Sequence, residues 1–147
     1  MYYICKTMSW NYKSITKWSD KESTHSTIDM DCGYSCSFHK PVEFGGEEEM
    51  LNPEDAFVGS LAMCFSITFK EMCDKMRLDI DDFVLETEGI LEEEDDGKRF
   101  TRIYLRPEIT SEESEKKIKR ALQLAKDNCL IANSMNSEII VEEKIGK

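Results

Sequence analysis

The sequence predicts an α+β fold, and three patterns carry the prediction. Strand-like alternation fills about residues 1–50, a long apolar helix opens at Asn52, and a hairpin, an amphipathic helix and a last strand follow it. Strands grouped first, with helices set between later strands, describe sheets packed against helices. A chain of 147 residues reads as a single domain. Its strand-rich section covers about 1–50, and its helix, hairpin, helix and strand section covers about 52–143.

Each element has a local reason. Thr, Tyr, Ile and Trp alternate with polar residues from Met8 to Trp18 and from Ser26 to Phe38, with Asp31-Cys32-Gly33 as the turn inside the second stretch. Gly45-Gly46-Glu47 closes this section as a loop. Asn52 is a good helix cap, Pro53 suits the first helical position, and Glu54 and Asp55 complement the positive end of the helix dipole. This helix should run to about Met76, apolar nearly all round and so sheathed by other structure. Phe83 to Leu91 and Lys98 to Arg106 read as strands, joined at Asp95-Asp96-Gly97 by a loop longer than the tightest type. Pro107 should end the second of them, and Thr110 or Ser111 should cap the next helix. Ile118, Ala121, Leu122, Ala125 and Cys129 form that helix's apolar stripe. Ser137 to Glu143 is the last strand.

Charge narrows the partners. A net charge of -11 and a pI near 4.7 disfavour nucleic acid and anionic membrane surfaces, which attract basic patches. The uncharged run from Ala56 to Phe69 is shorter than the roughly 20 residues a bilayer requires and fits a buried helix. No signal peptide is visible at Met1-Tyr2-Tyr3-Ile4, so a cytoplasmic location and reduced thiols are expected.

Six cysteines then need separate readings. Cys64 and Cys129 each lie on the inward face of a predicted helix, where a thiol is either inert filling or a protected nucleophile. Two such faces can present the sulfurs to each other, and a disulfide would need Cα atoms within about 4.4–6.8 Å. At about 100° per residue, Cys73 falls on the opposite side of the helix from Cys64. Cys32 and Cys36 would share one face of a strand with His39 behind them, a weak metal pattern against which no metal or cofactor is expected. Cys5 has no context, and His25 and His39 read as strand surface residues. Glu54 is either a plain first-turn acid or a site residue. Ten positions of helix separate it from Cys64, about 15 Å of rise. A shared site would need a break near Gly59 or two subunits.

With Asn52-Pro53-Glu54, Ala62-Met63-Cys64-Phe65, Arg77-Leu78-Asp79-Ile80 and Cys129 followed by Asn133-Ser134, the chain resembles the OsmC/Ohr family of osmotically inducible and organic hydroperoxide resistance proteins. The resemblance implies antiparallel sheets wrapped around long central helices in an intertwined homodimer. It also implies a thiol peroxidase acting in oxidative-stress defence. Cys64 would be the peroxidatic thiol attacking an organic hydroperoxide, and Cys129 the resolving thiol that captures its sulfenic acid as a disulfide. A dithiol, in some family members a lipoylated protein, would reduce that disulfide. Glu54 would order the site, from the other subunit if the helix is unbroken. Leu130 replaces a frequent proline, Ala132 a frequent serine, and no arginine precedes Arg77 where organic hydroperoxide members use one beside the thiolate. Two other readings stay open: a binding module for an apolar small molecule on the same scaffold, and a redox-sensing dimer.

Overall fold

The computed structural model describes residues 8–18 and 25–147, which form two compact units divided between Glu54 and Asp55. Cys5 lies outside the described residues.

The first unit is a three-stranded antiparallel sheet of β1 (Ser14–Lys17), β2 (Ser26–Met30) and β3 (Ser35–Phe38) in that order. The β2–β3 reversal falls where the sequence places it, and Gly33 takes the positive φ of 86° that this turn requires. Cys32 therefore stands in the turn, and only Cys36 is on a strand. The two do not share a strand face, contrary to the sequence reading, because the turn consumes one of them.

The second unit begins within α1 (Pro53–Met76), whose bounds match the sequence expectation. Arg77 ends it with a left-handed φ of 55°, while Leu78 N–H reaches back to the Cys73 carbonyl at 2.9 Å. β4 (Asp82–Glu94) and β5 (Gly97–Thr110) form an antiparallel pair longer than expected at both ends. Their loop is the two residues Asp95 and Asp96 between paired Glu94 and Gly97, tighter than the sequence suggests, with Gly97 at φ 124°. Pro107 does not end β5 but lies inside it, opposite Leu85. The Leu105 carbonyl accepts from Glu142 N–H, so Pro107, two residues on, turns its missing N–H the same way. That side is open there: β6 (Glu138–Val141) stops before it and β7 (Lys144–Gly146) starts after it. No ladder bond is lost.

Both β6 and β7 run parallel to β5, so this sheet is mixed rather than antiparallel. The cause is the crossover through α2 (Glu115–Asn128) and the short α3 (Leu130–Asn133), since a helical connection returns the chain in the same direction. α2 starts at its cap Ser114, later than expected. Ser111 is instead committed to a turn: its buried hydroxyl donates to the Asp79 carbonyl at 2.6 Å and accepts from Glu113 N–H at 3.1 Å.

The core of this unit joins Leu61, Phe65, Phe69 and Met72 of α1 to Ile103, Leu105 and Ile109 of β5 and Ile118, Ala121, Leu122 and Ala125 of α2. Phe69 stacks on Phe83, and Phe57 on Phe100, each pair 5.0 Å between ring centres. α1 has more apolar surface than this core uses. By length and composition it would suffice to cross a bilayer, which the uncharged run alone does not suggest, and 33% of its most apolar stretch is buried within the chain. Met63 and Ile67 stay 65% and 62% exposed.

Candidate active site

Cys64 lies in the middle of α1, half-buried, with Leu61 and Phe65 beside it in the core. The helix is rich in hydroxyls that fold back on it. Ser60 donates to the Phe57 carbonyl, Ser66 to that of Ala62, and Thr68 to that of Cys64 at 2.8 Å. These internal bonds let polar side chains ride on an otherwise apolar helix. They also leave the Cys64 carbonyl, not its thiol, as the atom Thr68 engages.

Cys129 is not the last helical residue of α2, as its place in the stripe suggests. It is the joint between α2 and α3, with extended angles of φ -73° and ψ 112°. Asparagines frame the joint: Asn128 Nδ2 donates to the Leu124 carbonyl and Asn133 Nδ2 to that of Asp127. Such side-chain bonds to helix carbonyls are a local signal of a break, and the stripe from Ile118 to Cys129 does not reveal it. The break aims the Cys129 sulfur back at α3, where the N–H groups of Ala132 and Ile131 donate to it.

The fold brings Cys64 and Cys129 together. Both are free thiols, and their sulfurs lie within hydrogen-bonding reach of each other. Cys129 has 0% exposure, and burial pushes its pKa up. Cys64 beside it pushes the same way, against the two backbone amides. Burial therefore disfavours the thiolate at Cys129. The arrangement is a half-buried thiol set against a fully enclosed one.

The remaining candidates stand apart. Cys73 is buried, turned away from this pair, and lines a 580 Å³ cavity with Phe69, Leu78, Ile80 and Phe83. Burial, with Asp74 beside it, pushes its thiol up to about 11. α1 is continuous through Gly59, so the helix does not bend Glu54 towards Cys64. Glu54 Oε2 is nevertheless buried without a hydrogen-bond partner. His25 pairs with Glu47 at 2.7 Å, and its ring meets His39 edge-on at 6.3 Å. Among the described residues no three or more His, Cys, Asp or Glu side chains are grouped to hold a metal ion.

A long central helix on a mixed sheet, with a reduced cysteine pair where a second helix breaks, defines the class: an α+β thiol protein of the OsmC type. The chain belongs to the OsmC-like protein family, whose profile matches residues 45–144. An OsmC-like protein of unknown function from Vibrio cholerae has the same fold, with a TM-score of 0.85 and 25% identity over 92% of this chain and 100% of that one. An organic hydroperoxide resistance protein from Elizabethkingia anophelis superposes with a TM-score of 0.78 at 13% identity, covering 96% and 99% of the two chains. The uncharacterized protein YmaD of Bacillus subtilis is 24% identical over 104 residues, 67% of this chain and 69% of YmaD. The α+β architecture expected from the sequence is the one these structures share.

Proposed function

We propose that this protein is a cytoplasmic thiol peroxidase that reduces organic hydroperoxides, with Cys64 attacking and Cys129 resolving. The observation that carries this reading is that two free thiols from different helices lie side by side, Cys64 half-buried and Cys129 enclosed. The Cys64 thiolate attacks the O–O bond, the alkoxide leaves and is protonated to the alcohol, and Cys64 becomes a sulfenic acid. Cys129 gives up its proton and attacks that sulfur, and hydroxide departs as water. A dithiol reductant then returns both thiols and leaves as its own disulfide.

The exposed Met63 and Ile67 flank Cys64 one residue before and three after, an apolar surface beside the thiol. That surface supports an apolar substrate and a second copy of the chain as its neighbours. In the homodimer we propose, Glu54 from the other copy orders the site, and its unpartnered carboxylate oxygen is the group with capacity to do so. The test is consumption of cumene hydroperoxide by the full chain with dithiothreitol. Turnover is expected, Cys64→Ser should stop it, and undiminished turnover by that variant would refute the proposal. The lack of any arginine before Arg77 favours a second reading, a module that binds an apolar molecule. A co-purifying ligand in native mass spectrometry, with thiols inert to the hydroperoxide, selects it instead.

A further inference from the structure

A disulfide between Cys64 and Cys129 has two ends, and this fold makes them unequal. Thiol–disulfide exchange requires a thiolate to approach one sulfur in line with the S–S bond. Cys64 is half-buried on α1 and within reach of solvent, whereas Cys129 is fully enclosed. The Cys129 sulfur is also held by the N–H groups of Ala132 and Ile131. We propose that the reductant attacks only the Cys64 sulfur and that Cys129 is the departing thiol in every cycle. The proposal rests on the reading of Cys64 and Cys129 as a redox pair and adds the direction in which that pair is opened.

The exchange balances as follows. The reductant's thiolate supplies the electron pair of a new S–S bond to Cys64. The old bond's pair leaves on Cys129, which takes a proton. The reductant's second thiolate then attacks its own sulfur and expels the Cys64 thiolate. The protein disulfide gains two electrons, and the dithiol loses two. Two effects oppose each other at Cys129. Burial makes its thiolate costly and so makes it a slower leaving group, while the two amides offset part of that cost. Leaving-group quality sets the rate at a sulfur that can be approached. A sulfur with no exposed surface offers no approach, so access decides the direction.

The test uses the full chain, with the disulfide made in one arm by cumene hydroperoxide and in another by diamide. Glutathione is added, the mixture is quenched in acid, denatured and alkylated, and its peptides are mapped by mass. Glutathione on Cys64 with alkylated Cys129 is the expected result. Glutathione on Cys129, or spread equally over both, overturns the proposal. If no adduct accumulates, peptide-resolved exchange with Ellman's reagent decides. Cys64 in the Cys129→Ser chain should react at least an order of magnitude faster than Cys129 in the Cys64→Ser chain, and equal rates overturn the proposal. A disulfide formed by diamide but not by the hydroperoxide defeats the peroxidase reading while leaving the direction of opening measurable.

Discussion

Gly89 of β4 lies against Val58 of α1 and Phe100 of β5, and replacing it with alanine tests how tightly the thiol-bearing helix is seated. A Cβ at that position would stand 2.7 Å from Val58 Cγ2 and 2.8 and 2.9 Å from two atoms of the Phe100 ring. Unstrained carbon contacts lie at about 3.5–4.0 Å, so each neighbour would have to retreat by about 1 Å. The ring has little room to do so, because Phe57 stacks on it. Two terms compete in Gly89→Ala. Alanine restricts the unfolded chain, which stabilises by about 0.4–1 kcal/mol. Overpacking a close-packed contact costs about 1–3 kcal/mol. The second term wins, for a net loss of about 1–2 kcal/mol, or roughly 2–6 °C in Tm for a chain of this size. The assay is urea unfolding followed by circular dichroism at one fixed protein concentration. An unchanged or raised midpoint at constant slope refutes the reasoning. Adding Val58→Ala removes one clashing methyl, so the double variant should lose less than the sum of the two single losses. Strict additivity would show that the clash does not exist.

Other substitutions probe the site and its frame. Cys129→Ser should leave Cys64 without its resolving partner, so hydroperoxide drives Cys64 past the sulfenic acid; intact mass should show two or three added oxygens, and a single persistent one would contradict this. With its thiol pushed up to about 11 from 9.0, Cys73 carries about a hundredfold less thiolate than an ordinary cysteine at pH 8. N-ethylmaleimide should therefore label Cys32 and Cys64 well before Cys73, as peptide mapping would show. The same shift has a sign for stability. Between about pH 9 and 11 the folded chain keeps a proton that the unfolded chain has lost, so stability falls as pH rises through that window, and Cys73→Ala should flatten the fall. Ser111→Ala removes a buried hydroxyl that bonds the Asp79 carbonyl and Glu113 N–H, and should cost about 1–3 kcal/mol by chemical denaturation.

Legibility followed the range of the forces involved. Asn52-Pro53 and the acids after it mark the start of α1 because capping acts within one turn, and the stripe from Ile118 to Ala125 marks the buried face of α2 because helical spacing is local. Pro107 misleads for the opposite reason. A proline is excluded from a strand only where a partner needs its N–H, and whether β6 and β7 leave a gap there depends on residues more than thirty positions away. The same holds for Ser111, whose carbonyl partner at Asp79 draws it out of the capping role. The joint at Cys129 lies between these cases. Its asparagines are local, but asparagine also occurs inside helices, so the pattern alone does not place the break.

By itself the sequence determined the α+β class, the extent of the central helix, and two thiols on apolar faces, since periodicity and capping are written into neighbouring residues. Only the tertiary structure decided that the helix breaks at Cys129, that its sulfur lies against that of Cys64, and that the sheet is mixed. Those outcomes depend on how α2 crosses back over the sheet, and a crossover is settled by packing between segments far apart in the chain, where no short stretch of residues holds the information.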